Sequence, residues 1–293
     1  MDQNLTLSDG RTVGFIDYGA ESGAPVIWCH GGPGSRLEAA SAAEAGRALG
    51  LRIVGIDRPG YGLSTPRPGR TIADWPPDAV AVADHLGLDR FFTIGMSTGG
   101  AYALALAALA AERVTGVVLG CAMTDMRHPP ARASMPGPTT AGVWEAPSRE
   151  AALTLATDLF GGDGAKMMGT LSGDLPDADR AALTAPAYVA AAAAAQAAMF
   201  AHGVQGYVDD RLADGPGWGS FDVGLVACPV VIVHGESDTV VPVVAARHTA
   251  ALVPHAELRL HPHLGHFSVG EPAIQALAEL ANTVRPAPRG WRA

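Results

Sequence analysis

Arg90-Phe91-Phe92-Thr93-Ile94-Gly95-Met96-Ser97-Thr98-Gly99-Gly100 is the stretch whose reading decides the fold. Its first five residues, aromatic and β-branched in the middle, predict a strand. The alanine- and leucine-rich run from Ala101 to Ala111 predicts a helix. Between them stands Gly-x-Ser-x-Gly. On a tight strand-to-helix turn, that pattern holds the serine in a strained backbone conformation with its hydroxyl above the sheet. Gly95, Gly99 and Gly100 are small, as a close passage of strand and helix demands. The pattern alone is common, so its weight rests on what else the chain brings to the same place.

Outward from this turn, apolar strand signals alternate with helical ones. Pro25 to Cys29, Arg52 to Ile56 and Gly116 to Gly120 read as buried strands, with helical stretches at Leu37–Leu49, Asp78–Leu86 and Gly99–Ala111. Buried strands that alternate with helices indicate parallel βαβ units. Upstream, Leu5 to Leu7 and Val13 to Tyr18 flank Ser8-Asp9-Gly10-Arg11 and predict a hairpin. From Thr124 to Val223 the rhythm breaks into proline clusters, glycine turns and alanine-rich helices, with no convincing strand. It resumes with Pro229 to Val233, a helix near Val243–Leu252, Ala256 to Leu260 and a helix from Pro272 to about Thr283. One α/β sheet interrupted by a helical insertion accounts for this order, with 1–123 and 224–293 as the core and 124–223 as the insertion. The Pro/Gly/Arg-rich tail from Arg285 is expected to fray.

The 293 residues are 48% hydrophobic with a formal charge of −9, enough apolar content for a large core and the wrong sign for a nucleic-acid partner. Lys166 is the one lysine among 20 basic residues, which leaves little room for lysine-dependent chemistry. Cys29, Cys121 and Cys228 lie far apart, without the spacing of a disulfide framework or a metal knuckle. Buried reduced thiols are expected, and no metal or organic cofactor. The N-terminus lacks a basic region followed by an apolar stretch, and the run from Pro186 to Ala201 is too alanine-rich for a membrane span. A cytoplasmic protein acting on a small molecule, as monomer or homodimer and without a membrane partner, is the expectation.

A serine hydroxyl needs a base to take its proton, usually a histidine oriented by a carboxylate. Two late loops carry both residue types: His234-Gly235-Glu236-Ser237-Asp238, after the strand ending at Val233, and Leu264-Gly265-His266-Phe267, after the strand ending near Leu260. In a parallel sheet both loops reach the carboxyl edge, where Ser97 also sits. His261 and His263 compete with His266 for the base, and Asp125 competes with Asp238 for the acid. An oxyanion needs preorganised N–H donors. The Thr98 amide at the helix start is one candidate, and the Gly32 amide in His30-Gly31-Gly32-Pro33-Gly34 is the other.

Taken together, five motifs resemble the α/β-hydrolase superfamily over nearly the whole chain: His30-Gly31-Gly32-Pro33-Gly34, Asp57-Arg58-Pro59-Gly60-Tyr61-Gly62-Leu63-Ser64, Gly95-Met96-Ser97-Thr98-Gly99-Gly100, His234-Gly235-Glu236-Ser237-Asp238 and Gly265-His266-Phe267. The resemblance implies a mostly parallel eight-stranded sheet with helices on both faces and a helical cap after strand 6. It implies Ser97 as nucleophile, His266 as base and Asp238 as orienting acid, in a serine hydrolase of esters, thioesters or lactones. The oxyanion loop is similar to that of prolyl aminopeptidases, whose nucleophile is followed by tryptophan and, two residues later, serine; here Thr98 and Gly100 stand instead. The elbow is closer to cofactor-free haloperoxidase and perhydrolase relatives. Haloalkane dehalogenases and epoxide hydrolases use an aspartate where this chain has Ser97. A prolyl aminopeptidase-like peptidase, a carbon–carbon bond hydrolase or lyase, and a non-catalytic ligand receptor are the alternatives.

Other residues carry plainer readings. Gly31, Trp144, Met167, Met199, Trp218 and Phe267 are candidates to line the substrate pocket, as are Met168, Tyr188 and Phe200, though the large ones serve equally well to pack the insertion against the core. Asp57 and Arg58 are expected to brace the turn after their strand. Glu145, Glu150, Asp158, Asp163 and Asp174 in the insertion read as a solvated face.

Overall fold

The computed structural model describes residues 2–18, 22–135, 142–171 and 174–284. Its strands are β1 (Asp2–Thr6), β2 (Thr12–Asp17), β3 (Ala24–Cys29), β4 (Leu51–Ile56), β5 (Phe91–Met96), β6 (Val114–Gly120), β7 (Ala201–Val204), β8 (Val230–Gly235) and β9 (Ala256–His261). Eight of them form one sheet in the order β1-β2-β4-β3-β5-β6-β8-β9. β1 and β2 form the expected hairpin, from Thr6↔Thr12 to Asp2↔Ile16, and β2 runs antiparallel to β4. All later pairings in the sheet are parallel. This is the eight-stranded, mostly parallel sheet that the sequence predicts.

Strand alternation explains why the central strands are apolar throughout. Val230 and Ile232 of β8 enter one core cluster, and Val231 and Val233 enter the cluster on the opposite face. β3 divides in the same way, Ile27 and Cys29 to one side and Val26 and Trp28 to the other. The first cluster is covered by the helices Trp75–His85 and Gly99–Leu109, the second by the helix Gly270–Thr283 and the turns from Arg36. Gly99–Leu109 is apolar all round, and every residue in it except Leu109 is buried, as such a helix must be. Cys29 and Cys121 are buried and Cys228 partly so, all three as free thiols.

The chain between β6 and β8 adds no strand to the sheet. It carries the helices Pro129–Ser134, Arg149–Phe160, Gly164–Leu171, Asp177–Thr184, Pro186–Met199 and Gln205–Asp214, and packs a small core of its own around Val143, Ala152, Phe160, Met167, Phe200 and Tyr207. One detail departs from the sequence reading: β7 is a short strand where none was expected. Its His202-Gly203 pair, with Gly203 at φ 62, ends the alanine-rich helical run at Met199. A second departure is the segment expected as one helix over Leu37–Leu49, which is a 3₁₀ stretch at Arg36–Ala42 followed by the helix Ala43–Ala48. The tail from Arg285 lies outside the described residues.

Candidate active site

The loops that follow β3, β5, β8 and β9 all leave the same edge of the sheet, because these strands are mutually parallel through β6. Ser97 follows β5 directly and has φ 53, a left-handed value in a non-glycine residue. Such a conformation costs of order 1–3 kcal/mol and persists only where its surroundings impose it. Here they do. The Ser97 amide donates to Gly120 O at 3.0 Å, and Ser97 O accepts from the Gly100 amide at 3.1 Å and the Met123 amide at 3.0 Å. A Cβ at Gly99 would lie 2.0 Å from Cys29 O, and one at Gly95 would lie 2.5 Å from Gly99 O. No larger residue fits the crossing.

His266 and Asp238 meet on the neighbouring loops. The His266 Nδ1–H donates to Asp238 Oδ2 at 2.9 Å, which leaves Nε2 as the basic nitrogen. Asp238 Oδ1 accepts from the amides of Val240 and Val241, both at 2.8 Å. Burial pushes the Asp238 carboxyl up, but the His266 and His234 charges and these donors prevail and hold it below the ordinary value. Burial pushes His266 down; the Asp238 charge and hydrogen bond, with Asp179 and Glu38, outweigh it and raise its pKa. His234 turns its Nε2–H to Val241 O at 2.8 Å, and burial lowers its pKa.

The competing residues lie elsewhere. Asp125 is taken by Arg127, whose amide and Nε donate to Oδ1 at 2.9 and 3.0 Å. His261 closes β9, and His263 is exposed.

The loop His30–Gly34 is braced from three sides. Arg58 donates to His30 O and, at 2.7 Å, to Gly31 O. His30 Nε2 accepts the Arg58 amide at 3.1 Å, so its Nδ1–H donates to Gly31 O at 2.6 Å. The Gly31 amide is held by the Glu38 carboxylate at 2.9 Å, and Trp28 Nε1–H donates to the same group at 3.0 Å. That engagement removes Gly31 as a free donor. The amides of Gly32 and Thr98 have no acceptor among the described residues. Gly32 packs on Thr98, where a Cβ would lie 2.7 Å from Thr98 Oγ1. Thr98 Oγ1 in turn accepts from Arg211 Nη2 at 2.6 Å.

Of the residues expected to line a pocket, Gly31 and Phe267 lie beside Ser97 and His266. A Cβ on Gly31 would sit 3.6 Å from Ser97 Cβ, and the Phe267 ring meets His266 edge-on at 5.3 Å. Met167 and Met199 pack within the insertion's own core, and Trp218 is buried in the main core beside Phe221. Trp144 donates to Asp214 at 2.7 Å and lies under Arg132.

Sequence reasoning missed several participants. Glu38 flanks Gly31 on the side of Ser97: the Cβ position that lies 3.6 Å from Ser97 Cβ lies 3.3 Å from Glu38 Oε2. Burial pushes the Glu38 carboxyl up, and its charge also raises the hydroxyl pKa of half-buried Tyr188, after burial itself. Cys121 places its thiol within 4.8 Å of both Asp238 and His266, and burial followed by the Asp238 charge keeps it protonated. Asp179, Asp210 and Arg211 of the insertion are buried against the core, and Asp214 is buried against Trp144 and Arg211. The five insertion acids read as solvated are indeed exposed.

A family model for the alpha/beta hydrolase fold matches residues 24–273. The chain is 28% identical over 270 residues to a non-heme haloperoxidase of Rhodococcus erythropolis, covering 89% of this chain and 92% of that one. It is 28% identical over 268 residues to a 2-hydroxymuconate semialdehyde hydrolase of Pseudomonas putida, with 89% and 86% covered. A solved thermophilic esterase from Thermogutta terrifontis superposes with a TM-score of 0.70 at 20% identity, covering 98% of this chain and 100% of the other.

Proposed function

The chain belongs to the alpha/beta hydrolase fold family, and on that premise we propose that it is a serine hydrolase cleaving an ester, thioester or lactone of a small molecule through an acyl-enzyme. The observation that carries the proposal is the strained serine at φ 53 on the sheet edge that also holds the His266–Asp238 pair at 2.9 Å. A serine kept in that conformation without a chemical task costs stability for nothing.

In the proposed mechanism Ser97 Oγ attacks the carbonyl carbon while His266 Nε2 takes its proton. The Gly32 and Thr98 amides stabilise the negative oxygen of the tetrahedral intermediate. The protonated His266, oriented and stabilised by Asp238, then delivers the proton to the leaving alcohol or thiol. Water activated by the same nitrogen attacks the acyl-enzyme, and the acid departs with Ser97 restored. The insertion from about 124 to 223 serves as a cap over the carboxyl edge, where it shapes the acyl pocket and excludes water. The esterase with the same fold supports this reading only as far as the fold goes.

A second reading is favoured by one observation, the similarity to a 2-hydroxymuconate semialdehyde hydrolase over 89% of the chain. It uses the same three residues on a different scissile bond. A panel of acyl esters, thioesters, lactones, a prolyl arylamide and 2-hydroxymuconate semialdehyde separates the readings. The proposal expects turnover of at least one of the first three classes, with a serine-bound acyl adduct of matching mass in quenched samples. Turnover confined to the semialdehyde would replace it with the second reading, and preference for the arylamide would make the protein a peptidase.

A further inference from the structure

The catalytic histidine is held by the insertion as well as by the core. Asp179, on the helix Asp177–Thr184, is fully buried. Its Oδ2 accepts the His266 amide at 2.8 Å. Its Oδ1 accepts the Phe267 amide at 3.0 Å, the Ser268 amide at 2.9 Å and the Ser268 hydroxyl at 2.7 Å. Ser268 Oγ accepts the Gly265 amide at 2.8 Å. One carboxylate thus satisfies three consecutive backbone donors, the concave arrangement of amides that binds anions elsewhere. In this chain the anion is a side chain 87 residues away in sequence from His266.

We propose that Asp179 is a positioning residue for the catalytic base, so that seating the insertion and arming His266 are one event. The proposal rests on the serine hydrolase reading above. The imidazole is oriented at its ring by Asp238, from the core, and at its backbone by Asp179, from the insertion. Close approach is built into the loop: a Cβ at Gly265 would lie 2.4 Å from Asp179 Oδ2 and 2.6 Å from Pro176 Cγ. Glycine before the histidine therefore serves contact with the insertion. When the helix Asp177–Thr184 lifts away, three amides lose their acceptor and the loop loses the anchor that aims His266 at Ser97. The Asp179 charge also adds to that of Asp238 in favouring the protonated imidazole formed during attack. Glu38, Asp238, His234 and the Cys121 thiol are other ionisable groups around the pair.

The test combines amide hydrogen exchange, read by mass spectrometry, with the saturating rate of Ser97 labelling by a fluorophosphonate. Asp179→Asn keeps the volume and sets an NH₂ against one of the amides. The exposed Asp177 on the same helix, changed to Asn, is the control. Hydrogen bonds to a buried charge are among the stronger ones, so Asp179→Asn is expected to exchange amides 265–268 about tenfold faster or more. Its saturating labelling rate is expected to fall by about the same factor, with the half-saturating probe concentration little changed. Asp177→Asn changes neither. Where Asp179→Asn does not fold, Ser268→Ala removes one of the four donors and is expected to show the same pair of changes at about threefold. Faster exchange with wild-type labelling would make Asp179 a structural brace and overturn the proposal, as would unchanged exchange at 265–268. A wild-type chain that takes no label while Asp179→Asn still loosens 265–268 would overturn the hydrolase reading instead, and the positioning role of Asp179 with it.

Discussion

Ser97, His266 and Glu38 carry the consequences at the scale of single residues. Ser97→Gly relieves a left-handed backbone at a site where glycine is at ease. The variant is expected to lose all turnover yet melt about 2–4 °C higher, equivalent to about 1 kcal/mol; a lower melting temperature would mean that the φ of 53 stores no strain. In the proposed mechanism His266 must be neutral to accept the serine proton; burial pulls its pKa down, but Asp238, with Asp179 and Glu38, outweighs it and raises it above the ordinary 6.5. The acid limb of kcat/KM therefore lies above pH 6.5, with activity lost as pH falls through it. Glu38→Gln removes one negative charge that supports the imidazolium, so the limb should move to lower pH. A limb that stays put would take Glu38 out of the site's electrostatics. Asp238→Asn should cut kcat by about a thousandfold or more, and Asp125→Asn, in a group held by Arg127, should leave it intact. The serine and histidine were legible because their motifs are local. Glu38 was not: nothing near it in sequence shows that its carboxylate folds back onto the Gly31 amide.

Among the elements, the helix Gln205–Asp214 ties the insertion to the core. Asp210, wholly buried, accepts from Arg58 at 2.7 Å, Arg70 at 2.6 Å, and the hydroxyls of Tyr61 and Tyr102 at 2.8 Å each. Arg58 is the residue that also clamps the loop His30–Gly34. Asp210→Ala would leave two guanidinium groups buried without a counter-ion, which costs about 3–5 kcal/mol. A melting temperature lower by about 10 °C is expected, against a change of no more than about 2 °C for a substitution at exposed Glu145. Equal effects would refute the clamp. Strands such as Val230–Val233 were legible as elements because burial on both faces makes every position apolar. The insertion was legible only as helical. Its exposed acids at 145, 150, 158, 163 and 174 follow surface composition, but Asp179 and Asp210 look the same in sequence. What buries them is a partner on the core, and no local periodicity encodes a partner 87 or 152 residues away.

For the whole molecule, four loops from distant parts of the chain converge because β3, β5, β6, β8 and β9 run in one direction. That convergence was readable from the alternation of strand and helix signals, and it turned separated motifs into one site. No single helix among the described residues is long and apolar enough to cross a membrane. The central claim is an activated serine on this edge, and it is tested most directly by treating the purified chain and its Ser97→Ala variant with a fluorophosphonate and weighing both intact. The account predicts one adduct per wild-type chain and none on the variant. An unlabelled wild-type protein that is folded, or an adduct that survives Ser97→Ala, would contradict it.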